Sequence, residues 1–126
     1  MTLVKNSIPV VEISKSNDLP LEHHTVKLLR PEGDIEITNC YSPPTSAMAL
    51  KTISVKAERH VVAGDFNSHS PSWGYKDMDP RGEELEDWMI DNKLILINHP
   101  RDKPTCFSRA WKTTSSPDLA MSTEDL

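Results

Sequence analysis

Cysteine, glycine and aromatic residues are scarce in this sequence of 126 residues. It contains 2 cysteines, 4 glycines, 3 tryptophans, 2 tyrosines and 2 phenylalanines. Two cysteines without a metal-like spacing exclude a disulfide framework and a C-x-x-C metal site, so we expect free thiols in a reducing compartment. The few glycines contrast with 10 prolines. Proline-rich loops favour an α/β or all-β domain over a helical bundle.

An excess of basic residues is also lacking. With 14 basic and 19 acidic residues the formal net charge is −5. This balance argues against a protein that binds nucleic acid mainly by neutralising phosphates, but not against an enzyme that meets phosphate through a bound cation. No long apolar run occurs, because Lys5, Asn6 and Pro9 interrupt the N-terminal stretch. We therefore expect no signal peptide and no membrane partner, and a soluble intracellular protein.

The remaining patterns predict strands that alternate with helices in one domain. Period-two or continuous apolar patterns predict strands at 10–14, 24–29, 34–41, 60–66, 94–98, 105–108 and 116–122. A helix is predicted at 47–58, and the run at 60–66 is interpreted as a strand covered on both faces. By period two, Ile35, Ile37, Asn39 and Tyr41 share a face, which we assign to the buried side. The order indicates an α/β fold with mixed pairing.

A second helix has a well-marked beginning at 79–92. Asp79 is the expected N-cap, and Pro80 suits the first helical position. Leu85, Trp88 and Met89 follow an i, i+3, i+4 spacing and form the predicted buried stripe. The helix should therefore cover one face of the sheet.

The strand at 60–66 leads into the segment "GDFN". If the strand stays regular, Asp65 and Asn67 lie on one face at its carboxyl end, where ligands bind in open α/β sheets. A carboxylate placed there is unfavourable without a partner, and Mg²⁺ or a phosphate could supply one. A capped turn is the alternative on residue types alone. A Ca²⁺ loop is excluded, because Ser70 and Lys76 stand at its glycine and glutamate positions.

The neighbours of this segment carry a resemblance to a known family. "NCYSPP" precedes "GDFNSHSPSWG", which is followed by "RGEELEDWMIDNKLILIN", "PTCFSR" and "SSPDLAMS". In this order and spacing the series resembles the endonuclease domain of jockey-type non-LTR retrotransposons, a part of their reverse transcriptase polyprotein. That domain belongs to the endonuclease/exonuclease/phosphatase superfamily of metal-dependent phosphodiesterases. The resemblance implies a portion of a two-sheet αββα sandwich, with helices covering mixed β-sheets, truncated at both ends and forming one partial domain over 1–126.

The resemblance also implies roles for four residues. Asp65 matches the carboxylate that orients or deprotonates the attacking water, and it is a possible metal ligand. Asn67 matches the amide that holds the scissile phosphate. Tyr41 matches a tyrosine lining the phosphate site, and Asp118 matches the acid that orients a catalytic histidine. The implied cofactor is Mg²⁺, with Mn²⁺ as a possible substitute, the implied substrate is DNA, and the parent element would act in the nucleus.

Some of the family's site residues have no counterpart here. Its metal-binding Glu and N-terminal Asn are unmatched, since Glu12 and Glu22 stand in a different context, and Asp125 is not followed by the expected histidine. We therefore expect little or no nuclease activity and weak or lost DNA binding from this chain alone. Two alternatives stay open: a non-catalytic remnant that acts as a binding module, and a phosphatase-like member of the superfamily.

Other conspicuous side chains have simpler expected positions. We expect Trp73 to pack under the loop after "GDFN", Trp88 to lie in the core, and His69 to have a loop role. Trp111, in a polar segment, is the best candidate for an exposed aromatic that faces DNA. The four histidines without ligand-like spacing are expected at surface or capping positions: His23, His24, His60 and His99.

Overall fold

The computed structural model describes residues 1–18 and 20–123 and shows a mixed α/β architecture. One α-helix, α1 (Pro80–Asp91), lies between the fourth and fifth strands. The strands of the described residues are β1 (Val10–Ser16), β2 (Glu22–Leu28), β3 (Ile35–Tyr41), β4 (His60–Asp65), β5 (Leu94–Leu96), β6 (Cys106–Ser108), β7 (Thr113–Ser115) and β8 (Asp118–Thr123).

Six of these strands form one mixed sheet in the order β1-β2-β3-β4-β8-β5. β3 and β4 are parallel, whereas every other neighbouring pair is antiparallel. β6 and β7 form a separate two-stranded hairpin. Because β3 and β4 run in parallel, their carboxyl ends meet at one edge, and the amino end of β8 joins them there. The predicted α/β class with mixed pairing is confirmed.

Helix α1 begins where the sequence predicts and covers one face of the sheet. The Asp79 side chain accepts a 2.6 Å hydrogen bond from the Gly82 backbone N–H, and Pro80 occupies the first turn. No helix of the described residues is long and apolar enough to cross a membrane. The core between helix, loops and sheet consists of Leu21, Cys40, Met48, Leu50, Ile53, Val62, Phe66, Trp73, Leu85, Trp88, Met89, Leu94, Leu119 and Met121.

The helix predicted at 47–58 is wrong. Only a short 3-10 turn, Leu50–Thr52, forms there, and Ala49 before it adopts a left-handed conformation (φ 48°). Met48, Leu50 and Ile53 are buried in the core, and their spacing does not follow one helical face. Tertiary packing therefore prevails over a helix propensity that β-branched residues had already weakened.

The two faces of the sheet are also assigned differently from the sequence prediction. Thr38 and Cys40 of β3 are buried, whereas Tyr41 is 43% exposed and its predicted face partners are only half-buried. Likewise, Val61 and Ala63 of β4 are half-buried, so this strand is covered fully on one face rather than on both. Burial follows the face that meets α1, which period-two patterning alone cannot identify.

Strand ends near the carboxyl terminus differ in detail from the prediction. β5 stops at Leu96, two residues early, and β7 was not predicted because Thr113–Ser115 is polar and mostly exposed. β6 and β8 confirm the strands predicted at 105–108 and 116–122. Short polar hairpins lack the apolar alternation on which strand prediction depends.

His60 is fully buried, which contradicts the expected surface or capping position. Its Nε2 lies 2.8 Å from Thr38 Oγ1, which in turn lies 2.7 Å from Thr25 Oγ1. Among the residues that the structure describes, its Nδ1 has no hydrogen-bond partner, and it lies 3.8 Å from a Glu36 carboxylate oxygen. Burial lowers the pKa of His60, and the negative charge of Glu36 offsets this only in part. The neutral imidazole is therefore the form that the fold accepts.

Acidification should consequently weaken the fold below pH 6.5. The folded-state pKa of His60 lies below its ordinary value of 6.5, so its contribution is complete above that pH and is lost as pH falls, because only the unfolded state then takes up the proton. We expect the unfolding free energy, measured by urea titration, to decrease from pH 7.5 to 5.5.

The variant His60→Gln tests this expectation against His99→Asn at an exposed position. The unfolding free energy of His60→Gln should depend less steeply on pH. A residual slope should remain from His23, whose pKa burial also lowers. His99→Asn should keep the full slope. An unchanged slope in His60→Gln would contradict the assignment.

Candidate functional site

Three of the four predicted site residues lie side by side at one edge of the main sheet. Tyr41 at the end of β3 pairs with Asp65 at the end of β4, and Asp65 pairs with Asp118 at the start of β8. Paired residues point to the same face, and directly opposite Cβ atoms in antiparallel strands are about 5 Å apart. Glu22, set aside on sequence grounds, continues the row because it pairs with Tyr41.

The approach of β3 to β4 at this edge depends on Gly64. A Cβ on Gly64 would lie 1.9 Å from the Cys40 carbonyl oxygen and 2.8 Å from its carbon. Any side chain at position 64 would therefore push the two strands apart. The glycine in "GDFN" is thus what lets Tyr41 and Asp65 lie next to each other.

The carboxyl group of Asp65 is held in an environment that disfavours its charge. Partial burial is the main cause that raises its pKa, and the neighbouring Asp118 carboxylate raises it further. The Asn67 backbone N–H, which donates to Asp65 Oδ1 at 3.0 Å, and the Arg81 cation act in the opposite direction. A strand-end carboxylate with a raised pKa beside a second carboxylate is the arrangement expected of a functional group.

Asn67 turns the chain away from the sheet immediately after this carboxylate. Its backbone is left-handed (φ 45°), a conformation that asparagine tolerates better than most residues. Its Nδ2 donates to the Ser42 carbonyl at 3.0 Å, which ties the loop after β4 to the loop after β3. An amide nitrogen carries two N–H donors, so one remains for a ligand. The fourth predicted residue is therefore also at this edge.

Arg81 was not predicted, although it organises the loops around the site. Its guanidinium group donates to the carbonyl oxygens of Phe66, Asn67, Ser42 and Ser46 and to the Ser42 hydroxyl, at 2.6 to 3.3 Å. One sequence signal could have revealed it. A cation in the first turn of a helix opposes the helix dipole, which indicates that the side chain has another partner.

Tyr75 is a second neighbour that sequence reasoning missed. Partial burial raises its pKa, and the nearby Asp65 carboxylate adds to the shift. Its hydroxyl oxygen accepts a 3.2 Å hydrogen bond from the Ser116 backbone N–H, and its ring stacks on His69 with centroids 4.2 Å apart. No motif in the sequence distinguishes this tyrosine, because only folding of the loop after β4 brings Tyr75 close to Asp65.

A family model described as endonuclease-reverse transcriptase matches residues 35–126, which is more than half of the chain. The chain belongs to the endonuclease-reverse transcriptase family. The predicted family is thereby confirmed, and the match includes the whole site edge from Tyr41 to Asp118. No curated protein matches the chain significantly.

A solved structure shows that the fold agrees with this family. The endonuclease domain of TRAS1, a telomere-specific non-LTR retrotransposon, superposes with a TM-score of 0.75 and 20% identity, over 96% of this chain and 58% of that chain. This endonuclease-reverse transcriptase family member therefore spans somewhat more than half the length of the TRAS1 domain. Two mutants of Cimex nitrophorin in ferrous NO complexes also match, with 10% and 9% identity, 93% and 95% coverage of this chain, and 53% and 55% of theirs. Their TM-scores are both 0.44, too low to indicate a shared fold.

The three tryptophans and His69 of this family member lie where the sequence predicts. Trp73 is 3% exposed and packs beneath the loop, where its Nε1 donates to the Ser68 carbonyl at 3.0 Å, and Trp88 is 7% exposed in the core. His69 is an exposed loop residue beside Asp79. Trp111 is 82% exposed next to β7. Asp125 lies outside the described residues.

Proposed function

We propose that this chain carries the phosphate-facing part of a Mg²⁺-dependent DNA endonuclease site, with low nicking activity on its own. The observation that supports it most is the row of Tyr41, Asp65 and Asp118 across three neighbouring strands, with Asn67 beside it. Phosphodiester hydrolysis needs a positioned water, a base and donors directed at the phosphate. These four side chains supply those groups.

Each residue has a definite part in the proposal. Asp65 orients the attacking water and accepts its proton, and its raised pKa suits a group that must bind and release a proton. The free N–H of Asn67 and the exposed hydroxyl of Tyr41 donate to the scissile phosphate. Asp118 contributes negative charge beside Asp65 and favours a cation at this edge.

The carboxylates present fit Mg²⁺ in its usual binding mode. Mg²⁺ is commonly held by one or two carboxylates, with water and substrate phosphate completing its coordination. Asp65 and Asp118 would hold it, and their mutual repulsion is what a cation would relieve. Bound there, Mg²⁺ would neutralise charge at the phosphate. Within residues 1–18 and 20–123 no group of three or more His, Cys, Asp or Glu side chains could hold a metal ion, which is why we propose low activity.

An exposed hairpin supports DNA as the substrate. The β6–β7 hairpin and its turn carry two exposed aromatic side chains, Phe107 (60%) and Trp111 (82%). The exposed basic residues Arg109 and Lys112 accompany them. Aromatic rings next to cations are suited to stacking on bases and contacting phosphates. The net charge of −5 makes such local contacts more important than overall attraction.

The proposal predicts slow, Mg²⁺-dependent nicking of supercoiled plasmid by the purified chain. Conversion to the open circle should stop when EDTA is added, because the carboxylate pair needs the cation. The fraction of open-circle plasmid, quantified on agarose gels after long incubations, measures this nicking. Binding to a duplex oligonucleotide without nicking would support the binding-module alternative instead, and hydrolysis of a small phosphate ester without nicking would support the phosphatase-like one. Absence of nicking, with or without these other activities, would contradict the proposal.

A further inference from the structure

The Arg81 side chain links both loops that border the candidate site. Nε donates to the Asn67 carbonyl at 2.8 Å, and one terminal nitrogen donates to the Phe66 carbonyl at 2.9 Å. The same nitrogen donates to the Ser42 hydroxyl at 2.7 Å, and the other donates to the Ser46 carbonyl at 2.6 Å. The planar guanidinium group thus holds the loop after β3 and the loop after β4 in one fixed arrangement.

The residues on either side of Arg81 bring the helix end against the same loop. The Asp79 carboxylate accepts a 3.0 Å hydrogen bond from the His69 backbone N–H. A Cβ on Gly82 would lie 1.9 Å from the His69 carbonyl oxygen, so only glycine permits this approach. The helix start therefore presents Arg81 to the loop after β4 in one orientation.

A short hydrogen-bonded path leads from Arg81 to the carboxylate of Asp65. Arg81 donates to the carbonyl oxygen of Asn67, whose own N–H donates to Asp65 Oδ1 at 3.0 Å. The Ser42 carbonyl oxygen accepts from both Asn67 Nδ2 and Arg81, at 3.0 and 3.3 Å. Asn67 is thereby held at both its backbone and its side chain in its left-handed conformation.

We propose that Arg81 is a positioning residue of the endonuclease site, which fixes Asn67 in its left-handed conformation and so aims both the Asn67 amide and the Asp65 carboxylate at the phosphate. The catalytic consequence of this inference rests on the proposed function. The effect of Arg81 on the conformation of Asn67 does not depend on that function. Arg81 touches neither the phosphate nor the water.

The test compares Arg81→Met and Arg81→Lys with the matched control Arg59→Met. Arg59 also donates to a backbone carbonyl, that of Glu32 at 2.9 Å, but it precedes β4 and lies at the opposite end of that strand from Asp65. NMR measures the backbone shifts and the coupling constant of Asn67 without requiring activity. Plasmid nicking under Mg²⁺ adds kcat and KM.

Arg81→Met should move Asn67 out of its left-handed conformation. Nicking should lose about 10²-fold in kcat with KM nearly unchanged, because misplacement of a catalytic group has effects of this size. Arg81→Lys should not restore the Asn67 conformation, because lysine keeps the charge but lacks the planar fork. Arg59→Met should change none of these.

Native Asn67 signals in Arg81→Met would overturn the inference. If that variant does not fold, Arg81→Lys decides: a native Asn67 conformation with full nicking would overturn it equally. Should the unmodified chain not nick DNA, the proposed function fails. The NMR signals of Asn67 would still decide whether Arg81 positions that residue.

Discussion

Replacing Asp65 with asparagine is expected to reduce Mg²⁺-dependent nicking by about 10²-fold or more. The amide can still accept the Asn67 N–H bond, so the loop should keep its shape. It cannot accept a proton from water and cannot hold a cation as a carboxylate does. The initial rate of open-circle formation from supercoiled plasmid measures the loss.

The same substitution should leave the chain at least as stable as the unmodified protein. The pKa of Asp65 is raised in the fold above its ordinary 3.8, so the charged form opposes folding once the pH exceeds 3.8, and the cost grows as pH rises through the folded-state pKa. Asp65→Asn removes that charge. Urea unfolding at pH 7 measures the change, and removal of a functional group at no cost in stability is typical of a site residue.

Asp87→Asn is the matched control, because Asp87 is exposed on α1. It should change neither the nicking rate nor the stability to a measurable extent. Equal nicking by Asp65→Asn and the unmodified chain would show that Asp65 has no catalytic part. Equal loss in both variants would point to a general effect of net charge.

Adding one methyl group at Gly64 should be the most damaging substitution for the fold. The new Cβ would meet the backbone of Cys40, whose carbonyl oxygen lies 1.9 Å from the ideal position. Backbone in the middle of a sheet cannot move aside without separating β3 from β4. We expect Gly64→Ala to lower the unfolding free energy by about 3 kcal/mol or more, measured by chemical denaturation.

A second substitution can show whether the backbone or the side chain of Cys40 causes this loss of stability. The Cys40 Sγ atom also lies close, 2.9 Å from the same position. If the backbone is the obstacle, Cys40→Ala will not restore stability to Gly64→Ala. Restoration would show that the flexible side chain, rather than strand spacing, requires the glycine. Stability equal to that of the unmodified chain would contradict the close approach itself.

Local patterns predicted those parts of the molecule whose signals lie within a few residues. Asp79, Pro80 and the stripe of Leu85, Trp88 and Met89 marked α1 correctly, because capping and helical periodicity are local properties. The edge residues Asp65 and Asn67 were found from a strand pattern that ends in poor strand formers. Grouping them with Tyr41 and Asp118 in one candidate site required the family resemblance as well, since those two residues are distant in sequence.

Several features depended on packing and could not be predicted in this way. His60 reads as a polar residue before an apolar run, but the sheet buries it against Thr38. The segment at 47–58 has moderate helix propensity. It nevertheless forms a loop whose Met48, Leu50 and Ile53 side chains are buried in the core. In both cases contacts with distant elements outweighed a weak local preference.

The sequence by itself determined the family and the mixed α/β class, and it predicted four site residues that the fold brings to one edge of the sheet. Only the tertiary structure decided which face of the sheet is buried, how β3, β4 and β8 align their ends, and that Arg81 and Tyr75 join the site. The physical reason is the separation in sequence between the residues that interact. Strand register and loop-to-helix hydrogen bonds arise between segments that meet only after the chain has folded, whereas caps and periodic patterns are already present in the unfolded chain's order of residues.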